Sequence, residues 1–253
     1  MPPNELVITR IAHATVLLDF PSARILTDPW FSERPGYQRA ESLGIPLERI
    51  LPLTGVVATH RHYDHYDVEA FAAYPDRRVP FVVKRGMGEA ALTAGFTDVT
   101  ELDPWESASV GAAKVTATPA KHVVPENTYV LEADGFTVFF GGDTLLIPEL
   151  AEVARRFGRI DVALLPVNGL AIRPLLNRRI VMDPRDALEL CRVLQPRIAI
   201  PIHYAFTGGA FRDRWLIKRN GTGADFAELA RQSKAQTRVE VLDPGVPQSV
   251  FRA

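Results

Sequence analysis

The sequence predicts an α/β protein organised as two similar halves, and three observations point there. From residue 55 onward, short apolar, β-branched runs alternate with helical patterns in a β-α-β rhythm. Over the whole chain these patterns fall in the order strands, helices, strands, helices. Finally, five of the six histidines lie at a strand end or in the turn just after one, and a parallel or mixed sheet brings such ends to one edge where ligands bind.

The chain has 253 residues, of which 47% are hydrophobic. With a mean hydropathy near zero, it can bury a sizeable core, and one domain over 1–253 is expected. Its 29 Lys and Arg balance 30 Asp and Glu for a net charge of −1, so no global basic field recruits nucleic acid. A small-molecule substrate is the expected partner, and the sequence leaves the oligomeric state open, a homo-oligomer included. Met1-Pro2-Pro3-Asn4-Glu5 carries no basic, leader-like start and no apolar run reaches membrane-spanning length, so a cytoplasmic protein is expected. The one cysteine, Cys191, excludes an internal disulfide and a thiolate-rich metal cage. It falls in an apolar helical pattern and is expected to pack in the core.

Leu6 to Ile11, Thr15 to Phe20 and Arg24 to Thr27 read as a β-meander, closed by Asp28-Pro29. Asp28 is expected to support a site by hydrogen bonding. Ser32 to Pro46 mixes Gly, Pro and charge without a period, as a lid over a site or a plain surface loop would. Leu53 to Ala58 reads as a buried strand, Val68 to Tyr74 as a helix, Val79 to Lys84 as a strand, Gly86 to Ala94 as a helix, and Val99 to Leu102 as a strand. Lys114 to Thr118 alternates, and Thr128 to Glu132 with Phe136 to Phe140 reads as a hairpin about Ala133-Asp134-Gly135. Leu146 to Phe157 reads as a helix and Ile160 to Pro166 as a strand. A second helix follows at Pro184 to Leu194, with Asp183 as its N-cap. Arg197 to Ile202, a helix over Gly223 to Ser233, and strands near Arg238 to Leu242 and Ser249 to Phe251 close the chain.

His60-Arg61-His62-Tyr63-Asp64-His65 is the chain's chemical centre, with four metal-capable side chains within six positions on a strand-to-helix turn. A solvated polar loop would use the same residue types. Histidine is too scarce here for that reading, and the preceding apolar strand supplies the rigid element a metal site needs. Alternate residues can face one cavity, so His60 and His62 can bind one cation while Asp64 and His65 face a neighbour. His122 and His203 also end strands. Alone, each would read as a structural histidine; as a cluster they read as ligands. Asp143 ends a strand after Gly141 and Gly142, which let the backbone approach a neighbour closely, and a carboxylate there is suited to bridging two cations. His13 suits hydrogen bonding near the site or packing equally.

Seven such ligands suit two divalent metal ions. Imidazole and carboxylate without thiolate select Zn²⁺ first, with Mn²⁺ or Fe²⁺ also accommodated. Two cations about 3.5 to 4 Å apart can share a water and present it as a bridging hydroxide near neutral pH. Asp64 is the candidate catalytic residue, binding a metal and accepting the proton.

The set His60-x-His62-x-Asp64-His65, then His122, Asp143 and His203, resembles the metallo-β-lactamase superfamily. Ala12-His13-Ala14-Thr15-Val16-Leu17-Leu18, Leu26-Thr27-Asp28-Pro29, Thr118-Pro119-Ala120-Lys121-His122, Gly141-Gly142-Asp143-Thr144 and Ile200-Pro201-Ile202-His203-Tyr204 are similar to the branch containing L-ascorbate-6-phosphate lactonase and N-acyl phosphatidylethanolamine phospholipase D. The resemblance implies a four-layer αβ/βα sandwich with a dinuclear site at one edge. It also implies His60, His62 and His122 on one metal, Asp64, His65 and His203 on the other, and Asp143 bridging. Ala12 stands where the branch often has Gly, and Gly208 to Trp215 matches no substrate signature.

The shared core implies a hydrolase without specifying the ester. Attack on a small ester or lactone, phosphorylated or not, is the leading expectation. A phosphodiesterase acting on a nucleotide, nucleic acid or phospholipid head group is the alternative, and a non-catalytic metal-binding protein is the third. Arg173, Arg178 and Arg179, and Arg212, Arg214 and Lys218, form two cationic segments able to hold phosphate or simply to face solvent. Asn168 and Tyr204 are candidate hydrogen-bond donors to a developing oxyanion. Trp30, Phe31 and Trp215 are candidates to wall a pocket or to pack.

Overall fold

Period-two alternation along the strands sorts the apolar residues into separate cores, and this sorting builds the layers. The computed structural model describes residues 5–251; residues 1–4, most of the stretch read above for a leader, and 252–253 lie outside the described residues. One seven-stranded sheet runs in the order Pro247–Phe251, Glu5–Ala12, Thr15–Asp19, Arg24–Thr27, Gly55–Ala58, Phe81–Lys84, Val99–Leu102. The other runs Arg238–Val239, Ile198–Ile202, Val162–Pro166, Phe136–Phe140, Asn127–Ala133, Ala113–Pro119, Ser107–Val110. Leu6, Ile8, Val16, Leu18 and Val57 of the first sheet meet Val115, Leu131, Val138, Leu164 and Ile200 of the second in a shared central core.

The residues between them in sequence point outward and are covered by helices. Leu26, Val56, Phe81 and Val83 pack under Val68 and Phe71 of the helix Val68–Phe71 and Ala91 of Gly88–Thr93. Val130, Phe139, Ala163 and Ala199 pack under Ala187, Leu188 and Cys191 of Pro184–Leu194 and Phe226 of Gly223–Gln232. The result is the expected αβ/βα sandwich, with Cys191 in a core as expected. No helix among the described residues is long and apolar enough to cross a membrane.

Several boundaries differ from the sequence expectation for local reasons. The helix expected over Val68 to Tyr74 ends at Phe71, because Tyr74 precedes Pro75 and a residue before proline avoids the helical region. Asp183 caps its helix as expected, accepting from the amides of Arg185 and Asp186. The strand expected to Leu242 stops at Val239. The polar strand Ser107–Val110 and the short helix Ala210–Trp215, which buries no residue, carry too little apolar pattern to be read from sequence. The closing strand returns to pair antiparallel with the first, Leu6 opposite Val250.

Residues 32–46 are neither a free loop nor a regular element. Gln38–Arg39 pairs with Phe206–Thr207, the buried Arg10 guanidinium forms a bidentate pair with Glu41, and the Gly44 amide donates to Ile11 O at 2.9 Å. Asp67 accepts from the amides of Phe31 and Ser32. With the three-stranded sheet Arg178–Arg179, Ala171–Ile172, Ile217–Lys218, this segment roofs one edge of the sandwich around a fourth apolar cluster that includes Trp30, Leu170, Ile180 and Phe206.

Candidate metal centre

Strand direction explains why distant side chains meet. Glu5–Ala12, Arg24–Thr27 and Gly55–Ala58 run the same way in one sheet, and Ala113–Pro119, Phe136–Phe140 and Ile198–Ile202 run the same way in the other. Their carboxyl ends deliver His13, Asp28, His60, His122, Asp143 and His203 respectively, and the two sheets are stitched there by Tyr129 Oη donating to Ala58 O at 3.0 Å and the His203 amide to His13 O at 3.2 Å.

Two clusters result. Ligand atoms of His60, His62, His122 and Asp143 lie within 4.8 Å of one another, and so do those of His13, Asp64, His65 and His203. His62 Nδ1 sits 2.9 Å from His60 Nε2 and 3.3 Å from His122 Nε2. Asp143 stands between the clusters. Its Oδ2 is 3.9 Å from His60 Nε2 and 3.8 Å from His122 Nε2, while its Oδ1 is 2.8 Å from His203 Nε2 and 3.2 Å from His65 Nε2. Asp64 Oδ2 lies 3.4 Å from His13 Nε2, 3.8 Å from His65 Nε2 and 3.9 Å from His203 Nε2.

The outer nitrogens of the rings are held by the protein. His65 Nδ1 donates to Asp28 Oδ2 at 2.6 Å, and His122 Nδ1 donates to Ile180 O at 2.9 Å. His60 Nδ1 donates to Thr59 Oγ1 at 3.0 Å, and that hydroxyl in turn donates to Asp28 Oδ2 at 2.8 Å. Such bonds fix the tautomer so that the inner nitrogen presents a lone pair. Asp28, His13 and His203 have φ of 35°, 51° and 56°, a conformation that costs a non-glycine residue about 1–3 kcal/mol and that gathers at sites.

Charge and hydrogen bonding both fit cations. His13 Nε2, His65 Nε2, His203 Nε2 and Asp143 Oδ1 are buried without a hydrogen-bond partner, a cost that coordination removes. Burial, reinforced by His65, holds His60 well below the usual imidazole range. Burial pushes both His62, with His60 beside it, and His13, with His203 beside it, down to about 3. These rings are neutral, as ligands must be. Burial opposes charge on His65, yet Asp143, Asp28 and Asp64 together lift it well above the usual range. Burial opposes ionisation of Asp64 and Asp143 too. It is outweighed by His65, His13 and His203 around Asp64, and by His203 and His65 around Asp143, so both stay below the usual carboxylate range. Two buried carboxylates, Asp64 and Asp143, thus face one cavity with Asp28 behind His65, and they call for positive charge there.

Of the supporting residues expected from sequence, Asp28 and His13 reach the centre. Three do not line the cavity. Asn168 Oδ1 is engaged by the Leu170 amide, Tyr204 lies under the Arg10 guanidinium and against Gly223, and Arg173 Nε donates to Ile217 O. Trp30 is buried edge-on to His13, Phe31 stacks on Phe71, and Trp215 is exposed. Glu126 was missed. It is buried, accepts from the Asp143 amide at 2.6 Å and lies 3.3 Å from His60 Nδ1. The sequence signal was indirect: the close approach read into Gly141-Gly142 is to this side chain, because a Cβ on Gly142 would stand 2.5 Å from Glu126 Oε1.

The chain belongs to the metallo-β-lactamase superfamily, since the profile of the beta-lactamase superfamily domain matches residues 23–204. It is similar to a UPF0173 metal-dependent hydrolase of Rubrobacter xylanophilus, 28% identical over 94% of both chains. It is also 30% identical to an uncharacterised protein of Mycobacterium tuberculosis over 65% of this chain, and there it spans about half, 49%, of the relative's length. Among solved structures it resembles Igni18, a metallo hydrolase from Ignicoccus hospitalis (TM-score 0.76, 21% identity, 98% of this chain and 100% of that one). A comparable likeness holds to an isothiocyanate hydrolase from Delia radicum gut bacteria (TM-score 0.78, 19% identity, 97% and 99%). At these identities the likeness shows the fold, which also carries CmlA, a diiron β-hydroxylase from Streptomyces venezuelae (TM-score 0.75, 18% identity, 99% of this chain and 55% of that one).

Proposed function

We propose that this protein is a dinuclear metal-dependent hydrolase acting on a small ester or lactone. The observation that carries the reading is Asp143, whose two oxygens face different clusters of imidazole and carboxylate side chains. In this reading His60, His62 and His122 hold one cation and Asp64, His65 and His203 the other, with Asp143 shared; Zn²⁺ is the cation this donor set suits first. A bound pair of such ions supplies Lewis-acid polarisation of the scissile oxygen and activates water as a nucleophile near neutral pH.

The chain's own groups do the rest. Asp64, kept ionised by the imidazoles around it, accepts the proton released on attack and returns it to the leaving oxygen. Asp28 aims His65 directly and His60 through Thr59. The apolar roof of Ile180, Phe206 and Ile217 limits competing water. A cavity of about 180 Å³ favours a compact ester over nucleic acid or a whole phospholipid.

Metal analysis of the purified protein, followed by a panel of lactones, thioesters and bis(p-nitrophenyl) phosphate before and after chelation, tests the reading. Two equivalents of metal and chelator-sensitive ester or lactone turnover are expected. A single equivalent, or turnover indifferent to chelation, overturns it.

A further inference from the structure

The cavity over the two clusters has a polar floor and an apolar wall. Its floor is formed by His62, His122, His203, Asp64 and Asp143, and Ile172, Ile180, Phe206 and Ile217 line the wall. Sites for drug-sized ligands run to roughly 300–1,000 Å³, so about 180 Å³ holds something considerably smaller. One cationic side chain, Arg212, lines this cavity among the described residues.

Three nearby arginines are already paired with carboxylates: Arg179 with Asp183 and Asp186, Arg219 with Asp213, and Arg39 with Glu33. Arg173 reaches Ile217 O and Arg34 lies over the Tyr37 and Tyr63 rings, and neither lines the cavity. Arg212 combines neutral partners with a place in the cavity lining. Its Nη1 donates to Gly36 O at 2.5 Å and its guanidinium carbon lies 5.1 Å from the centre of the Tyr37 ring, both neutral partners, and no ion pair to it occurs among the described residues. Space is kept for it: a Cβ on Gly36, itself at φ +87°, would come 2.4 Å from Arg212 Nη1, and one on Gly208 would come 2.9 Å from Arg212 Cβ. A half-buried guanidinium with an apolar wall beside it and no counter-charge is a vacant position for a carboxylate or phosphate oxygen, which arginine can grip through two parallel N–H donors.

We infer that the substrate is a compact ester or lactone bearing an anionic group, and that Arg212, steadied by Gly36 and Tyr37, anchors that group while the scissile bond lies over the metal ligands. This rests on the hydrolase reading above. It assigns specificity to the roof rather than to the ligand set, and it gives Gly208 to Trp215, which matches no known substrate signature, a role in recognition.

The test pairs two esters of equal shape, monomethyl succinate and its uncharged isostere methyl levulinate, with metal-loaded wild type, Arg212→Met and Arg212→Lys. The wild type should favour the charged ester at least tenfold in kcat/KM, Arg212→Met should lose that preference, and Arg212→Lys should keep part of it. Calorimetric titration with levulinate and hexane-2,5-dione, which carry no ester, reads the same contact without turnover. Levulinate should bind at least tenfold more weakly to Arg212→Met than to wild type, at equal metal content and unchanged circular dichroism. Ester turnover without charge preference, or levulinate affinity indifferent to the substitution, overturns the anchor and leaves the hydrolase reading standing. Arg212-dependent levulinate binding without turnover of any ester has the opposite meaning.

Discussion

Asp28 Oδ2 accepts a 2.6 Å hydrogen bond from His65 Nδ1 and also receives the Thr59 hydroxyl, which itself accepts from His60. One buried carboxylate therefore orients an imidazole in each cluster. Loss of such an orienting partner typically costs 10- to 100-fold in metal affinity. Asp28→Asn should weaken the tighter-coupled cluster, that of His65, by about that factor, read by competition with a chelator of known affinity. Wild-type affinity at both positions would show that the rings are oriented by packing alone.

In the proposed function Asp64 joins proton transfer to metal retention, and the two can be separated. Asp64→Asn keeps the shape and one oxygen ligand but removes the base. Turnover should fall by about 10³-fold, within the range for general acid–base groups, while metal is retained in part. Near-normal turnover in a fully metallated variant would assign the proton elsewhere.

The pair Arg10–Glu41 ties the roofing segment to the first sheet, with the Arg10 side chain 2% exposed and Glu41 17%. Glu41→Gln leaves a buried guanidinium without its counter-charge, and removing one partner of such a pair destabilises by about 3 kcal/mol. Urea unfolding at fixed metal content measures this. A change below about 0.5 kcal/mol, the size expected at an exposed position, would show that water replaces the pair.

Glu126 makes stability pH-dependent in a definite sense. Burial pushes its carboxyl from 4.5 up to about 8, with His122 opposing and Asp143 adding. Between these values the folded chain keeps a proton that the unfolded chain has released, so this contribution is full below about 4.5 and fades as pH rises through about 8. Chelator-treated wild type should lose stability relative to Glu126→Gln as pH rises from 5 towards 9. Parallel profiles for the two proteins would mean that Glu126 ionises normally.

Much of the site was legible in the residue order. The ligand types, their place at strand ends and the absence of thiolate follow from local pattern, because apolar periodicity marks strands and scarce histidines stand out after them. The positions of Glu126, Tyr37 and Arg212 were not legible in the same way. Glu126 precedes a strand in an unremarkable loop, and nothing periodic marks Tyr37 within 32–46. Arg212 was visible only as one of several arginines, since its lack of a counter-charge is a property of what surrounds it in space.

What the sequence determined by itself is the chemistry on offer: imidazoles and carboxylates able to hold a metal and a sandwich that can present them at one edge. Tertiary structure decided how they are used. It brought His13 into the second cluster, turned Tyr204 and Asn168 away, and set Tyr37 of 32–46 in the cavity lining. Such choices depend on contacts between residues far apart in the chain, and local periodicity carries no information about those.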